Sequence, residues 1–368
     1  MLKDLRRLSP WQRRIVVISV LIGVLLGLVA LTVFLVTTVI NPGAQQEPQA
    51  LLPEWSVARY GILPDSDAYP AAAAVSPDGS GVVYTGSYAT GAIWAISPDG
   101  TVREIPGTRA FIGAVSGLAF APDGALLVVD QADTDPRSVG GSLVRIAPGV
   151  LANAALTDAE AAPGISTFGL LPADADDPDG NGFIAPNDVA VDALGRVYVT
   201  DPGRNEVWRF EPDGSSPAVW WVPPVTEGVG RSAITGIGYD AARAAMLITD
   251  PELNRIYRAS IDTGESETLY EHGERANPPG FDGIAVTPDG TIYVAALGQN
   301  GIAIVQANDL DYVVGLFRGA ADVKVLQADE GGVRLIVPNF DQASIVIPLL
   351  EPQLPFTVDV LTRTAAAP

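Results

Sequence analysis

Two patterns of apolar residues divide this chain. From Ile15 to Ile40 the residues carry no charge and are almost wholly apolar. About 20 such residues span a bilayer, so this segment predicts a transmembrane helix over 15–40. Beyond it the apolar residues fall into short runs: Val82-Val83-Tyr84, Leu126 to Val129, Val197-Tyr198-Val199 and Ile292-Tyr293-Val294. Runs of this length, rich in Val, Ile and Tyr and bounded by turn residues, predict strands. A turn phrase precedes each: Ala-Val-Ser-Pro-Asp-Gly (Ala74 to Gly79), Ala-Phe-Ala-Pro-Asp-Gly (Ala119 to Gly124), Ala-Val-Asp-Ala-Leu-Gly (Ala190 to Gly195) and Ala-Val-Thr-Pro-Asp-Gly (Ala285 to Gly290). Pro presets φ, Asp caps the turn and Gly takes the positive-φ position.

Counted over the units it marks, the pattern returns every roughly 40 to 70 residues, the mark of a repeat architecture. Six units align: Ala71 to Gly107, Ser116 to about Gly149, Asn187 to Gly214, Thr235 to Gly264, Asp282 to about Leu310, and a degenerate sixth from Ala321 to about Leu349. Each reads as short antiparallel strands, with third strands such as Glu206 to Phe210 and Arg255 to Arg258. Repetition of four-stranded units predicts an all-β fold, a six-bladed β-propeller ectodomain preceded by a single N-terminal transmembrane helix. The expected organisation is a basic N-terminus over 1–14, the helix over 15–40, a Pro- and Gln-bearing linker over 41–53, the propeller over 54–362 and a flexible tail over 363–368.

Charge sharpens the picture. The chain has a formal net charge of −21 and a single histidine, His272. It lacks cysteine, so disulfides, thiolate metal sites and a lipidated cysteine anchor are excluded. An acidic surface repels phosphate backbones, and a nucleic-acid partner is not expected. The basic residues Lys3, Arg6, Arg7, Arg13 and Arg14 precede the apolar run. By the positive-inside rule the N-terminus stays cytoplasmic and the propeller lies outside the cell membrane. The expected partners are the lipid bilayer, through the N-terminal helix, and a protein or small-molecule ligand at the propeller face.

Val199-Thr200-Asp201-Pro-Gly-Arg-Asn205 and Ile248-Thr249-Asp250-Pro-Glu-Leu-Asn254 resemble the NHL-type propeller repeat, in which the Asp and Asn brace the loop between second and third strands. Pro186-Asn187-Asp188-Val-Ala-Val-Asp192 and Phe281-Asp282-Gly283-Ile-Ala-Val resemble the gluconolactonase/regucalcin family, six-bladed propellers related to strictosidine synthase. That resemblance implies a divalent metal at the mouth of the channel. Its ligands in the family are a first-blade Glu, an Asn, and the Asp of an Asp-Gly motif, with a second Asn close by. The metal there polarises a lactone carbonyl and activates water. Carried over by position, Asn187 and Asp282 match the family's residues, the other Asn falls on Thr235 and the Glu falls on Ala71. Ser116 and Ala321 complete the ring. A hard divalent cation wants about six oxygens with enough negative charge, and this ring offers one carboxylate and one amide.

A second constellation lies in Asp177-Pro-Asp179-Gly-Asn181-Gly182-Phe183-Ile184-Ala-Pro-Asn-Asp188, which fits the calcium-loop template D-x-[DN]-x-[DN]-G. Asp177, Asp179 and Asn181 stand at positions one, three and five, and the Phe183 carbonyl at seven. Gly182 stands at the sharp turn and Asp188 at twelve. Flanks that read as loop and strand set it apart from an EF-hand domain. The alternative is an acidic, solvated loop.

Weaker candidates are His272, Trp208, Trp220 and Trp221, and a long insertion from Gly149 to Gly182 that could cover the channel mouth. No G-x-S-x-G elbow supports nucleophilic catalysis. Two functions compete: a membrane-anchored binding or scaffold propeller stabilised by Ca²⁺, and a metal-dependent lactonase- or esterase-type hydrolase using Asn187, Thr235 and Asp282. Whether the chain is an enzyme stays open at this level.

Overall fold

The computed structural model describes residues 9–35, 47–132, 134, 141–172, 184–225, 230–273, 276–329, 332–347 and 350–364. They belong to two units: 1–45 with 343–352, and 46–342 with 353–368.

The first unit carries helix α1 (Pro10–Leu35). It starts earlier than Ile15 because a capping box sets its origin. Gln12 N–H donates to Ser9 Oγ (3.4 Å), and Ser9 N–H donates to Gln12 Oε1 (2.9 Å). Pro10 occupies the first helical position, where its missing N–H costs nothing. Residues 36–40 of the expected span lie outside the described residues. Ile18, Leu21, Leu25, Leu28, Leu31 and Phe34 are all exposed, so the helix is apolar on every side. It is long and apolar enough to cross a membrane.

The second unit is built of six antiparallel sheets. It opens with β1 (Gln49–Ala50) and β2 (Trp55–Ile62). Blade I is β3 (Pro70–Val75), β4 (Val83–Ser87), β5 (Ile93–Ile96) and β6 (Val102–Glu104). Blade II is β7 (Val115–Phe120), β8 (Leu126–Asp130), β9 (Ser142–Ile146) and β10 (Ile165–Leu170). Blade III is β11 (Val189–Val191), β12 (Val197–Asp201), β13 (Glu206–Phe210) and β14 (Ala218–Trp221). Blade IV is β15 (Ile237–Asp240), β16 (Ala245–Asp250), β17 (Arg255–Ser260) and β18 (Ser266–Glu271). Blade V is β19 (Phe281–Val286), β20 (Ile292–Ala296), β21 (Gly301–Val305) and β22 (Leu310–Gly315). Blade VI takes β23 (Lys324–Asp329), β24 (Gly332–Pro338) and β25 (Thr357–Thr364), and β2 completes it.

The first strands β3, β7, β11, β15, β19 and β23 touch in that order, and β23 meets β3 again, closing a ring around a central channel. The repeat phrase makes the turns it predicts. Gly79, Gly124 and Gly290 sit at φ 74°, 82° and 90°. Asp78, Asp123 and Asp289 accept the N–H two residues on, at 2.9, 3.1 and 3.0 Å. Apolar faces bury between neighbouring blades: Ile93 of blade I packs in one cluster with Val128 of blade II, and Tyr198 of blade III with Ile248 and Tyr257 of blade IV.

Three sequence expectations change. Blade VI does not end near Leu349; it is closed by β25 and, from the other end of the propeller, by β2 (Trp55↔Arg363 to Ile62↔Thr357). Neither strand carries the repeat phrase. The stretch Gly149 to Gly182 is not all insertion, because β10 is the outer strand of blade II and pairs with β9. Two short helical turns (Pro148–Ala152 and Asp158–Ala161) delay it and shift it out of repeat phase. Within the 41–53 segment, β1 adds a fifth strand to blade V, pairing Gln49 with Gly315 and Ala50 with Val314.

Candidate functional site: a lysine-bridged channel

The inner strands set successive levels of residues around the channel. At the first level stand Ala71, Ser116, Asn187, Thr235, Asp282 and Ala321. Contacts between blades show the shared level: Ser116 Oγ donates to Pro186 O (3.3 Å) and Thr235 Oγ1 to Phe281 O (3.3 Å). Gly283 N–H donates to Ala321 O (2.8 Å). Ser116, Asn187, Thr235 and Asp282 are half-buried, whereas Ala71 and Ala321 are buried.

One residue further along each strand lie Asp188 and Asp322. Ile237 N–H and Val189 N–H donate to the two oxygens of Asp188 (3.0 and 2.8 Å). Ala73 N–H and Val323 N–H do the same for Asp322 (3.0 and 2.8 Å). Two residues beyond Asp322 is Lys324, whose Nζ sits 3.1 Å from Asp322 Oδ1 and 4.0 Å from Asp188 Oδ2. The lysine thus links blade VI to blade III on the far side of the ring.

Electrostatics couple Lys324 to a third carboxylate. Burial pulls the Lys324 ammonium down, but Asp188, Asp322 and Asp282 outweigh it and hold Lys324 above its ordinary range. Burial pushes Asp282 well above the usual carboxylate range; the negative charges of Asp188 and Asp322 add to this, and Lys324 offsets only part.

Around the level of Lys324, residues of all six inner strands line a cavity of ≈ 300 Å³. Leu118, Phe120, Ile237, Tyr239 and Ile284 supply apolar walls, and Lys324 is the only charged residue among those described there.

The residues present do not fit a tightly held divalent ion at the first level. Ala71 offers a methyl group, Thr235 Oγ1 is already bonded, burial holds the Asp282 carboxyl well above the usual carboxylate range, and the charge of the Lys324 ammonium reaches it. Among the described residues no group of three or more His, Cys, Asp or Glu forms a metal-holding arrangement. Of the calcium-loop candidates, Asp177, Asp179, Asn181 and Phe183 lie outside the described residues. Asp188 is described, and its two carboxylate oxygens each accept one N–H, from Val189 and Ile237.

The Asp/Asn pairs read from sequence hold loops and neighbouring blades. Asp201 Oδ1 accepts from Ala185 and Gly203 N–H, both at 3.1 Å. Asn205 and Asn254 adopt φ of 62° and 51°. Their side-chain oxygens accept Ile234 N–H (3.3 Å) and Gly280 N–H (2.8 Å) on the next blade. Trp221 packs on Tyr257 (5.4 Å between centroids) at the III–IV boundary, and Trp208 lies under Arg204 (4.6 Å). His272 Nδ1 pairs with Tyr270 Oη (3.0 Å).

Residues 173–314, which hold Asn187, Asp188, Thr235 and Asp282, match the SMP-30/Gluconolactonase/LRE-like region. Over those residues the chain is similar to that family. A gluconolactonase from Xanthomonas campestris shares 14% identity over 86% of this chain and 94% of its own, with a TM-score of 0.54. Virginiamycin B lyase from Staphylococcus aureus shares 16% over 84% and 99%, with a TM-score of 0.53. At these identities the likeness is one of fold. No curated protein matches the chain. Sequence reasoning placed Asn187 and Asp282 in this channel but missed Asp322 and Lys324. The alignment held the signal: Ala321-Asp322-Val323 is in phase with Asn187-Asp188-Val189, and Lys324 stands where the repeat phrase opens with Ala.

Proposed function

We propose that this chain is a membrane-anchored, extracytoplasmic propeller that binds a protein or small-molecule ligand rather than turning over a lactone. The observation that carries this reading is Lys324. Its ammonium lies against Asp322 in a channel whose first-blade ligand position is Ala71. The anchor rests on α1 and its basic N-terminal flank. Stabilisation by Ca²⁺ rests on the spacing of Asp177, Asp179, Asn181 and Phe183.

The test is a panel of lactones and esters offered to the full-length protein in detergent, with and without divalent ions. No turnover above buffer is expected. Turnover that disappears in Asp282→Asn would overturn the binding reading. Topology is tested separately: protease added to intact spheroplasts should digest the propeller, and full protection contradicts an outside location.

The second reading is a lactonase-type hydrolase. The family match over 173–314 favours it, because that stretch contains Asn187, Thr235 and Asp282. The same panel decides between the two.

A further inference from the structure

We infer, taking the propeller to bind its ligand rather than hydrolyse it, that the cavity at the turn-phrase end of the channel is a site for a neutral, largely apolar small molecule whose acceptor oxygen meets Lys324 Nζ. This site is distinct from the first level that holds Asn187 and Asp282.

Placement is the first argument. Each inner strand runs from the first level toward its turn, and the cavity is lined by residues at the third to fifth positions of that run; no first-level residue lines it. At the fifth position every blade presents an apolar or aromatic side chain: Val75, Phe120, Val191, Tyr239, Val286 and Val325, all half-buried. At the fourth position Lys324 meets only alanines and Gly238 from the other blades. Those small residues leave the axis open to one long side chain and to a guest beside it. At ≈ 300 Å³ the space stands at the small end of the range for small-molecule sites, about 300–1,000 Å³.

Chemistry is the second. Lys324 Nζ and the Tyr239 hydroxyl are the polar side-chain groups of a wall that is otherwise hydrocarbon. Such a wall favours an apolar guest, whose surface gains by leaving water. The polar contact falls to Lys324, whose side chain is 18% exposed against 7% for Asp188 and 5% for Asp322. An ammonium carries three donors. Asp322 Oδ1 takes one at 3.1 Å, and Asp188 Oδ2 at 4.0 Å stands beyond hydrogen-bond reach, so a donor is left for a guest. Two carboxylates behind one ammonium repel an anion, and the ammonium repels a cation. A neutral carbonyl or ether oxygen accepts the N–H without adding charge.

The experiment is photolabelling of the full-length protein in detergent with benzophenone, a neutral diaryl ketone that bonds to nearby C–H groups on irradiation, followed by peptide mass spectrometry. Label that α1 takes up from the micelle maps to its own peptides. Wild type should be labelled on the inner strands around Leu118, Ile237 and Ile284. Ala190→Leu and Ala285→Leu, which fill the cavity from two blades, and Lys324→Met, which removes the donor, should each lower that labelling by about tenfold. On wild type, benzophenone-4-carboxylate should label the same strands about tenfold less than the ketone, because charge opposes it. Unlabelled inner strands in wild type, or labelling that survives in both filled variants, overturns the site. Undiminished labelling of Lys324→Met overturns the role given to its ammonium, and equal labelling by the carboxylate overturns the neutral class. The comparison of the two probes needs no variant and decides even if a variant does not fold. Failure here leaves binding elsewhere on the propeller intact, whereas failure of the binding reading shows as lactone turnover in its own assay.

Discussion

Asp188 and Asp322 occupy the same place in blades III and VI, across the ring from each other, and each holds the blade that follows it. Asp188 accepts Ile237 N–H of blade IV at 3.0 Å; Asp322 accepts Ala73 N–H of blade I at 3.0 Å. The preceding blade presents a glycine to each, Gly117 beside Asp188 and Gly283 beside Asp322. At this level the pairing of blades II and III therefore repeats in blades V and VI. Lys324 breaks the likeness, since its counterpart in blade III is Ala190.

Removing one of the two carboxylates should cost more than a surface charge. Asp322→Ala frees Ala73 N–H and takes the nearer partner from Lys324. Breaking a buried pair by removing one partner costs about 3–5 kcal/mol, and Asp188 offsets part of that here. A loss of about 3 kcal/mol in urea unfolding is expected. A loss below about 1 kcal/mol would show that the pair is solvated.

The glycines facing these carboxylates should resist a methyl group. A Cβ on Gly283 would stand 2.2 Å from Asp322 Oδ1 and 2.6 Å from its Cα. Overpacking typically costs 1–3 kcal/mol, and Gly283→Ala is expected at about 3 kcal/mol. Gly149→Ala, with nothing within 4 Å of the added carbon, should shift stability by under about 0.5 kcal/mol. Thermal melts of the two proteins side by side check the contrast.

Asp359 makes the stability of blade VI pH-dependent. It is 2% exposed, and burial pushes its carboxyl up to about 6, against the pull of the Asn339 hydrogen bond and of Arg318. The unfolded value is about 3.9, so the native state binds the extra proton between roughly pH 4 and 6. The contribution of Asp359 is full below the unfolded value and is lost as pH rises through about 6. Asp359→Asn should therefore gain on the order of 2–3 kcal/mol over wild type between pH 4 and pH 8. Urea midpoints at the two pH values test this; an equal difference at both would rule out the carboxyl as the source.

Much of the ring was legible because its signal is local. Pro77-Asp78-Gly79 makes its own turn wherever it occurs, and the strand after it needs only alternation. The channel was legible by phase alone, which placed Asn187 and Asp282 at one level. What phase could not supply is the neighbour from a distant blade. Lys324 sits in the most degenerate repeat, and its partner Asp188 read more naturally as the twelfth position of a calcium loop. The strands β2 and β25 escaped for the same reason: Trp55 and Arg363 pair across the whole propeller and carry no turn phrase. Outer strand β10 was lost because two helical turns separate it from β9.

Calcium should raise the melting temperature of the full-length protein. Extracellular calcium modules bind at around 10⁻⁴ to 10⁻³ M, and an ion that binds only the folded state stabilises it by RT ln(1 + [L]/Kd). At about 100-fold excess over Kd this amounts to about 2.7 kcal/mol. Asp177→Ala/Asp179→Ala should abolish the rise and keep the fold. An equal shift in both proteins would reduce the segment to an acidic turn.

The clasp of β2 against β25 has a consequence during synthesis. Ser56 Oγ meets Thr362 O across 306 residues of chain, so the earliest long strand of the propeller leaves the ribosome well before the strand that will sit beside it. At about 5–20 residues per second the wait is roughly 15–60 s. Through that interval blades I to V can form and stack while one seam stays open. The nascent ring is a crescent with an unpaired edge at Trp55–Ile62, a surface that invites pairing with another chain. Closure comes last and all at once, which makes the final strand, rather than any blade, the step at which this protein is either completed or captured by a neighbour.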